Sequence, residues 1–356
     1  MNQSNNVEVS VLCSVYNHKK YIKRCLEGFI NQRTNFKYDV WVHDDCSTDG
    51  SIDIIEKYAD KYPDTIIPYY EDENQHNKGI APIRKYVFPK TKGKYIAICE
   101  GDDYWCDASK LQKQYDFMEE NLDCSMCCHN TVWHDLRRIR KDKLFFDWKD
   151  LHRLTDEDIF LGWKVHTSSY FMRRDNYLMI DNLPKCYGDF KLLTWNYTKG
   201  QIWAMPHVMS VYNANNPCGA VCKAAKDWRI YHAEREERIK YLKMLDEITK
   251  GEYHKSITRS IEVINLKEHF EQLDNSISNN ILNHKHYKKL SKMFTQDPLY
   301  QEYLHLFTYK TQLRIRSTHY SHFIFMLYLI RKGLLGGVNN PIPYCEYHHA
   351  VIGAAA

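Results

Sequence analysis

The stretch "CEGDDYW" (99–105) gathers Glu100, Asp102 and Asp103 directly behind the apolar run "KYIAI". Like charges that close repel and raise one another's pKa unless a cation or hydrogen-bond donors offset them. Carboxylate oxygens with no nitrogen or sulfur partner suit Mg²⁺ or Mn²⁺, ions that keep waters and hold a substrate's phosphates. A second acidic group, "HDD" (43–45), follows another apolar run, and Asp44 or Asp45 offers an acceptor for a base N–H. Lys78 and Arg84 supply cations for a diphosphate. The competing role for an acidic residue ahead of a helix is capping, and Asp49 and Asp107 fit it. "CSMCC" (124–128) invites a zinc reading, but no partner pair stands at zinc-finger spacing, so buried thiols on a strand are expected.

The elements that must carry these groups alternate. Short apolar runs at 7–13, 38–43, 64–70 and 94–100 read as strands. Between and after them, 18–32, 47–63 and 107–123 carry apolar residues at helical spacing: Ile22, Cys25, Leu26, Phe29 and Ile30 in the first, Ile52, Ile55 and Ala59 in the second, Leu111, Tyr115, Met118 and Leu122 in the third. Strand–helix alternation predicts an α/β fold with a mostly parallel central sheet and right-handed crossovers. Ligands of such sheets lie beyond the carboxyl ends of the strands. Both acidic groups fall on that rim. Farther on, 165–174 reads as a strand, 187–200 as a loop and helix, and 201–213 as a strand pair. From about 226 the pattern is amphipathic helix. The expected organisation is a catalytic domain over 1–222 and a mostly helical region over 223–356.

The charge is nearly balanced, with Lys+Arg 49 against Asp+Glu 45, which does not point to a nucleic-acid partner. The 12 cysteines, with no basic-then-apolar leader at the start, predict a reduced, cytoplasmic chain.

The segments "VSVLCSVYNHKKYIKRCLEGFINQ", "VHDDCSTDGSIDII", "NKGIAPIRKYVFPKTKGKYIAICEGDDYW" and "SKLQKQYDFMEEN" resemble the family 2 glycosyltransferases over roughly residues 7–220. The resemblance implies a GT-A fold, Rossmann-like, that takes a nucleotide diphosphate sugar, UDP-linked, and a divalent cation, Mn²⁺ or Mg²⁺. The family's metal motif falls on Glu100, Gly101 and Asp102, with Asp103 next; a Glu in first position departs from the usual Asp. The turn of Val15, Tyr16 and Asn17 is implied to wrap the nucleotide, with Asp44 or Asp45 on the base and Arg84 near the phosphates. "YGDF" matches the motif bearing the catalytic base, which falls on Asp189 after Gly188. The family often closes its domain with Tyr-Arg-x-His; here the last position is Asn215, and the nearby His207 is off the motif. Ser168 and Ser169 offer themselves to the sugar site, against ordinary strand packing, and Trp105 to a sugar ring, against a place in the core. The implied reaction is an inverting transfer to a hydroxyl of a glycan or lipid-linked acceptor, in the building of bacterial surface polysaccharide. A sugar nucleotidyltransferase would need a glycine-rich loop that "SVYNHKKYI" lacks. A non-catalytic carbohydrate-binding protein would have lost the acidic ligands or base.

The most apolar stretch, Phe323 to Ile330, is too short for a spanning helix, which needs about 20 residues. Two readings of it are a buried packing helix and a peripheral contact at the inner face of the plasma membrane. In the second, Arg314, Arg316, Arg331 and Lys332 meet anionic headgroups. Self-association through the C-terminal helices is a further expectation.

Overall fold

The computed structural model describes residues 6–139, 141–178, 188–216 and 228–265. Strand β1 (Val7–Val15) is buried along most of its length because it pairs in parallel on both sides, with β2 (Lys37–Asp44) and with β4 (Tyr95–Ile98). Strand β3 (Ile66–Tyr70) extends the parallel set beyond β2. Helix α1 (Ile22–Ile30) lays Ile22, Cys25, Leu26 and Phe29 on the sheet, the stripe its spacing predicts. Helix α2 (Ser51–Lys61) buries Ser51 and Ile55, with Ala59 only partly covered. The 47–50 turn ahead of it is held by Asp49, whose Oδ1 accepts from Ser51 N–H at 3.0 Å.

Beyond β4 the sheet changes sense. Strand β9 (Phe171–Arg173) runs antiparallel to β4 and to β6 (Cys124–Asp135). Strand β10 (Gln201–Ala214) then runs parallel to β6, and β5 (Tyr104–Trp105) lies antiparallel on its far side. Among the described residues the strand path is therefore β3-β2-β1-β4-β9-β6-β10-β5. Two short strands, β7 (Lys143–Leu144) and β8 (His152–Arg153), hang on β6 and β10. Cys124, Cys127 and Cys128 are buried thiols on β6, as the strand reading of "CSMCC" has it.

Three expectations are corrected. Residues 201–214 are one strand, not a pair; Pro206, which has no N–H to give, is absorbed where the register with β6 shifts between Met205 and Val208. Only 171–173 of the 165–174 segment is strand, because His166 caps a tight turn at Thr167–Ser169. Helix α3 (Lys110–Glu120) buries Lys110, Leu111, Gln114 and Met118, whereas Leu122 lies past its end and is 76% exposed.

The chain divides into two compact units: Met1–Thr155 with Trp163–Lys223, and Asp156–Gly162 with Ala224–Ala356. The first also holds helices α5 (Arg174–Leu178) and α6 (Gly188–Tyr197). In the second, α4 (Asp156–Phe160) meets the helical turns at 254–265: Ser256 Oγ donates to Asp156, and Ser260 Oγ to Phe160 O at 2.7 Å. Helix α7 (Trp228–Ile248) belongs to the same unit. Among the described residues no helix is long and apolar enough to cross a membrane. The Phe323–Ile330 stretch, with Arg314, Arg316, Arg331 and Lys332, lies outside the described residues.

Candidate active site

The acidic loop leaves the carboxyl end of β4 and turns at once. Gly101 N–H donates to Ser14 O at 2.9 Å and Asp103 N–H to Glu100 O at 3.0 Å, so the turn is pinned to β1 and closed on itself. Glycine is needed at 101 for space: a Cβ there would lie 2.8 Å from Val15 Cγ2 and 3.0 Å from His18 Nδ1. Beneath the turn the thiols of Cys25 and Cys99 donate to Glu100 O at 3.5 and 3.7 Å.

Glu100, Asp102 and Asp103 converge, with one carboxylate oxygen from each lying within 4.8 Å of the others. The repulsion that the sequence implies is visible in their protonation. Glu100 keeps a solvent-facing edge, yet the protein crowding its carboxyl, then the charges of Asp102 and Asp189, push it up to about 8. Burial, with Asp102 next, drives Asp103 well above the usual carboxylate range.

Part of the offset comes from donors on the end of β10. Asn213 N–H gives a 2.8 Å bond to Asp103 Oδ1, and its side-chain amide a 2.6 Å bond to Asp102 O. Asn216 Nδ2 donates to Asp102 Oδ2 at 2.9 Å. Two histidines add Nε2 atoms, His18 at 3.9 Å from Asp102 Oδ2 and His166 at 3.7 Å from Asp103 Oδ2. The three groups that converge within ligand distance of one another are all carboxylates, and their crowding persists despite those bonds. That combination fits a hard divalent cation such as Mn²⁺ or Mg²⁺, held by Glu100, Asp102 and Asp103. Asn215 stands at φ +62° and turns its amide to Asp135 Oδ1 at 2.8 Å, so the residue at the family's histidine position clamps the end of β6. His207 is exposed.

Asp189 sits in the first turn of α6, where its Oδ1 accepts from Phe190 N–H at 2.7 Å. Its charge is felt at Glu100 and at Tyr170, which places it beside the acidic loop. Gly188 just before it is open, since a Cβ there would meet nothing within 4 Å.

Val15 closes β1 in the core, and Tyr16 and Asn17 continue from it beside the 44–48 turn. Asn17 adopts φ +58°; its N–H donates to Ser47 Oγ and its Oδ1 accepts from Thr48 N–H, both at 2.8 Å. Asp44 Oδ1 accepts from Ser47 N–H at 2.7 Å, while Oδ2 is buried without a partner, and burial raises this carboxyl above its ordinary range. Asp45 spends both oxygens on the next loop, at 2.7 Å to Gln75 N–H and 3.1 Å to His76 N–H. Of the two, Asp44 is the one with an oxygen unspent. Lys78 pairs with Glu73, and Arg84 is half-buried in the helical turn Ile83–Val87.

Three expected sugar contacts lie elsewhere. Trp105 is 3% exposed, with Phe29 edge-on at 4.8 Å, the Lys110 ammonium 3.9 Å over its ring and its Nε1–H on Ser168 O at 2.9 Å. A ring so enclosed is a core ring and presents no face for a sugar to stack on. Ser168 and Ser169 are buried and spent internally, Ser168 Oγ on His166 Nδ1 at 2.8 Å and Ser169 Oγ on His166 O at 2.6 Å. Sequence reasoning missed His18, His166, Asn213 and Asn216; the run "NANN" at the end of the 201–214 segment was the available signal for the last two.

Residues 10–179 match the family model described as glycosyl transferase family 2. An uncharacterized Mycobacterium tuberculosis protein, Rv1520, is 32% identical over 208 residues, 57% of this chain and 58% of that protein. The chain thus spans less than two thirds of the length of that relative. The putative teichuronic acid biosynthesis glycosyltransferase TuaG of Bacillus subtilis is 35% identical over 112 residues, 32% of this chain and 42% of its own. Among solved structures, Staphylococcus aureus TarS 1–349 in complex with UDP-GlcNAc superposes with a TM-score of 0.56 at 14% identity, covering 95% of both chains. The Pyrobaculum calidifontis mannosyltransferase PcManGT, in complex with GDP-Man and Mn²⁺, gives 0.50 at 13% identity over 89% of this chain and 87% of its own. At those identities the likeness is one of fold, and the fold is the expected GT-A architecture.

Proposed function

From the match of residues 10–179 to the glycosyl transferase family 2 model and the acidic cluster, we propose that the chain is a family 2 glycosyltransferase, inverting and divalent-cation-dependent. Its donor is a nucleotide diphosphate sugar, UDP-linked, and its acceptor a hydroxyl of a glycan or lipid-linked glycan destined for the cell surface. The observation that supports this most is the convergence of Glu100, Asp102 and Asp103 at the carboxyl end of β4. TuaG, a relative named for teichuronic acid synthesis, and TarS, whose structure carries UDP-GlcNAc, favour the same substrate classes.

Glu100, Asp102 and Asp103 would hold a divalent ion, which would supply charge neutralisation for the departing diphosphate. The protein's own groups do the rest. Asp44 or Asp45, at the carboxyl end of β2, contacts the base, while Asn17, fixed between Ser47 and Thr48, shapes the turn against the nucleoside. Lys78 and Arg84 meet diphosphate charge. Asp189, oriented by its bond from Phe190 N–H, takes the proton from the acceptor hydroxyl. The acceptor oxygen bonds to the anomeric carbon as the bond to the diphosphate breaks on the opposite face, so the configuration inverts.

Asp189→Asn keeps size and the bond from Phe190 N–H but removes the basic oxygen. Turnover should drop by about two to four orders of magnitude, the usual scale for a general base, with nucleotide affinity near wild type. Transfer and hydrolysis measured across a panel of nucleotide sugars, alongside nucleotide binding by calorimetry, separate the roles. Loss of folding and binding together would make Asp189 structural.

A further inference from the structure

The hairpin between β6 and β7 has its last strand pair at Trp133 and Lys143. Its base is tied down. His134 Nδ1 lies 2.8 Å from Asp142 Oδ1, Leu136 N–H donates to Ala214 O at 3.2 Å, and Arg138 N–H to Asp135 O at 2.8 Å. Arg137 is spent on Asp135 through both its N–H and its Nε. The tip beyond that base points outward instead. Arg138, Ile139 and Lys141 are exposed, Ile139 to 73%, and Leu144 behind them to 43%. Arg138 also adopts φ +56°, a conformation that glycine or asparagine takes at lower cost. Neither packing nor turn formation accounts for an isoleucine set out in water beside these cations.

Strand senses put this tip on the rim that carries the acidic loop. β4 is antiparallel to β9, and β9 to β6, so β4 and β6 end on the same side. β1 is parallel to β4, so α1 begins on that side as well. Lys19, Lys20, Lys23 and Arg24 are exposed at its start, with no acidic residue in the first turn. Cations there oppose the helix dipole. The acidic groups near them offset little: Glu27 meets Lys23 at 3.9 Å, and Asp49 takes the Lys19 N–H at 2.9 Å. Tyr104 links the two cationic groups. The Arg24 guanidinium lies 3.7 Å over its ring, and its hydroxyl feels the charge of Asp142 at the hairpin.

We infer that the hairpin tip and the start of α1 form a docking surface for an anionic bilayer, with Ile139 entering the headgroup region and Arg138, Lys141, Lys20 and Lys23 meeting lipid phosphates. The exposed apolar tip decides for a bilayer over a soluble polyanion. A polyanion in water leaves Ile139 and Leu144 as wet as before, whereas the boundary of headgroups and acyl chains takes them out of water. The cations add attraction to an anionic surface that fades within a Debye length, so the contact is reversible and salt-sensitive. It uses none of the residues of the Phe323–Ile330 stretch. Its purpose rests on the glycosyltransferase reading: docking sets the acidic loop against the surface that carries a lipid-linked acceptor.

The test is co-sedimentation of the full chain, without donor or acceptor, with vesicles of phosphatidylcholine alone and of phosphatidylcholine with about 30% phosphatidylglycerol, at low and high salt. Binding should need phosphatidylglycerol and fall steeply at high salt. Arg138→Gln with Lys141→Gln should weaken it about 20- to 30-fold, at about fivefold for each cation removed. Ile139→Ser keeps every charge and should weaken it about tenfold. If the hairpin variants do not fold, Lys20→Gln with Lys23→Gln carries the same expectation as the hairpin pair. No binding at low salt, or binding that folded variants leave unchanged, overturns the inference. Binding that the cation variants weaken, that Ile139→Ser does not, and that inorganic polyphosphate competes away assigns the surface to a soluble polyanion and overturns the bilayer. A protein that transfers sugar but binds no vesicles removes this inference alone. One that binds them as expected but transfers none refutes the proposed function and leaves the docking surface standing.

Discussion

Lys110→Met should make the protein more stable below neutral pH and less so above it. Lys110 is fully buried at the start of α3, its ammonium donating to Gln114 Oε1 at 2.7 Å over the Trp105 ring. Burial pulls its pKa from 10.5 down to about 7. Between those values the unfolded chain holds a proton that the native chain has lost, so stability rises with pH across that window. Below pH 7 the native state carries the buried charge in full, and at about 1.36 kcal/mol per pH unit the cost is about 5 kcal/mol. Methionine removes that cost and keeps an unbranched side chain on the indole. Against it stand an orphaned Gln114 oxygen, about 1–3 kcal/mol, and a lost cation–π contact, about 1 kcal/mol. The variant should therefore gain about 1–3 kcal/mol at pH 6. Its advantage should shrink by about 1.4 kcal/mol for each pH unit above 7 and reverse between about pH 8 and 9. Urea unfolding followed by tryptophan fluorescence at pH 6, 7, 8 and 9 measures the offset. A difference between variant and wild type that does not change with pH would mean that Lys110 titrates at its ordinary value in the fold, and the reasoning fails.

Asp102→Ala should abolish transfer and the divalent dependence of nucleotide binding while leaving the thermal midpoint unchanged or slightly raised, since the charge that crowds Glu100 and Asp103 is gone; full activity in the presence of excess chelator would refute the cation assignment. Gly101→Ala should displace the acidic loop, because its Cβ would come 2.8 Å from Val15 Cγ2, and nucleotide-sugar affinity should fall while far-ultraviolet circular dichroism stays native. Gly93→Ala meets backbone instead, 2.3 Å from Ser10 N, and should cost about 3 kcal/mol or more in urea unfolding through forced separation of β1 from the turn before β4.

Local patterns were legible in the sequence. The stripe Ile22, Cys25, Leu26, Phe29 declares α1, and the apolar runs ahead of "HDD" and "EGDD" declare β2 and β4. The acidic triplet could be read because its chemistry lies within four consecutive residues of one loop. What supports it could not. Asn213 and Asn216 reach Asp103 and Asp102 across 110 and 114 residues, a pairing that depends on β10 threading between β6 and β5. Trp105 looked like a sugar platform because aromatic type and nearness to the acidic loop say nothing of which way the ring faces, and its neighbours Phe29 and Lys110 turn it inward. The helical period of α3 was clear, but a buried Lys110 and Gln114 run against composition; they pay their way through bonds to each other and to Cys127 O and Ser169 O.

The long reach from β10 back to the acidic loop has a consequence for synthesis on the ribosome. Once residue 98 has emerged, β1, β2, β3 and β4 have all their mutual parallel partners, so that half of the sheet can assemble early. The three carboxyls at 100–103 then wait for donors that lie as far on as Asn216. At about 5–20 residues per second the delay for those 114 residues is of order 6–20 s. For the first part of it the nascent chain carries a folded edge at β4 with no β9 to cover it, and throughout it an acidic turn held only by backbone and the thiols beneath it. Termination before residue 216 would leave a sheet able to fold and a loop unable to settle, so prematurely stopped chains should be inactive, and those that end before β9 prone to edge-to-edge association at β4.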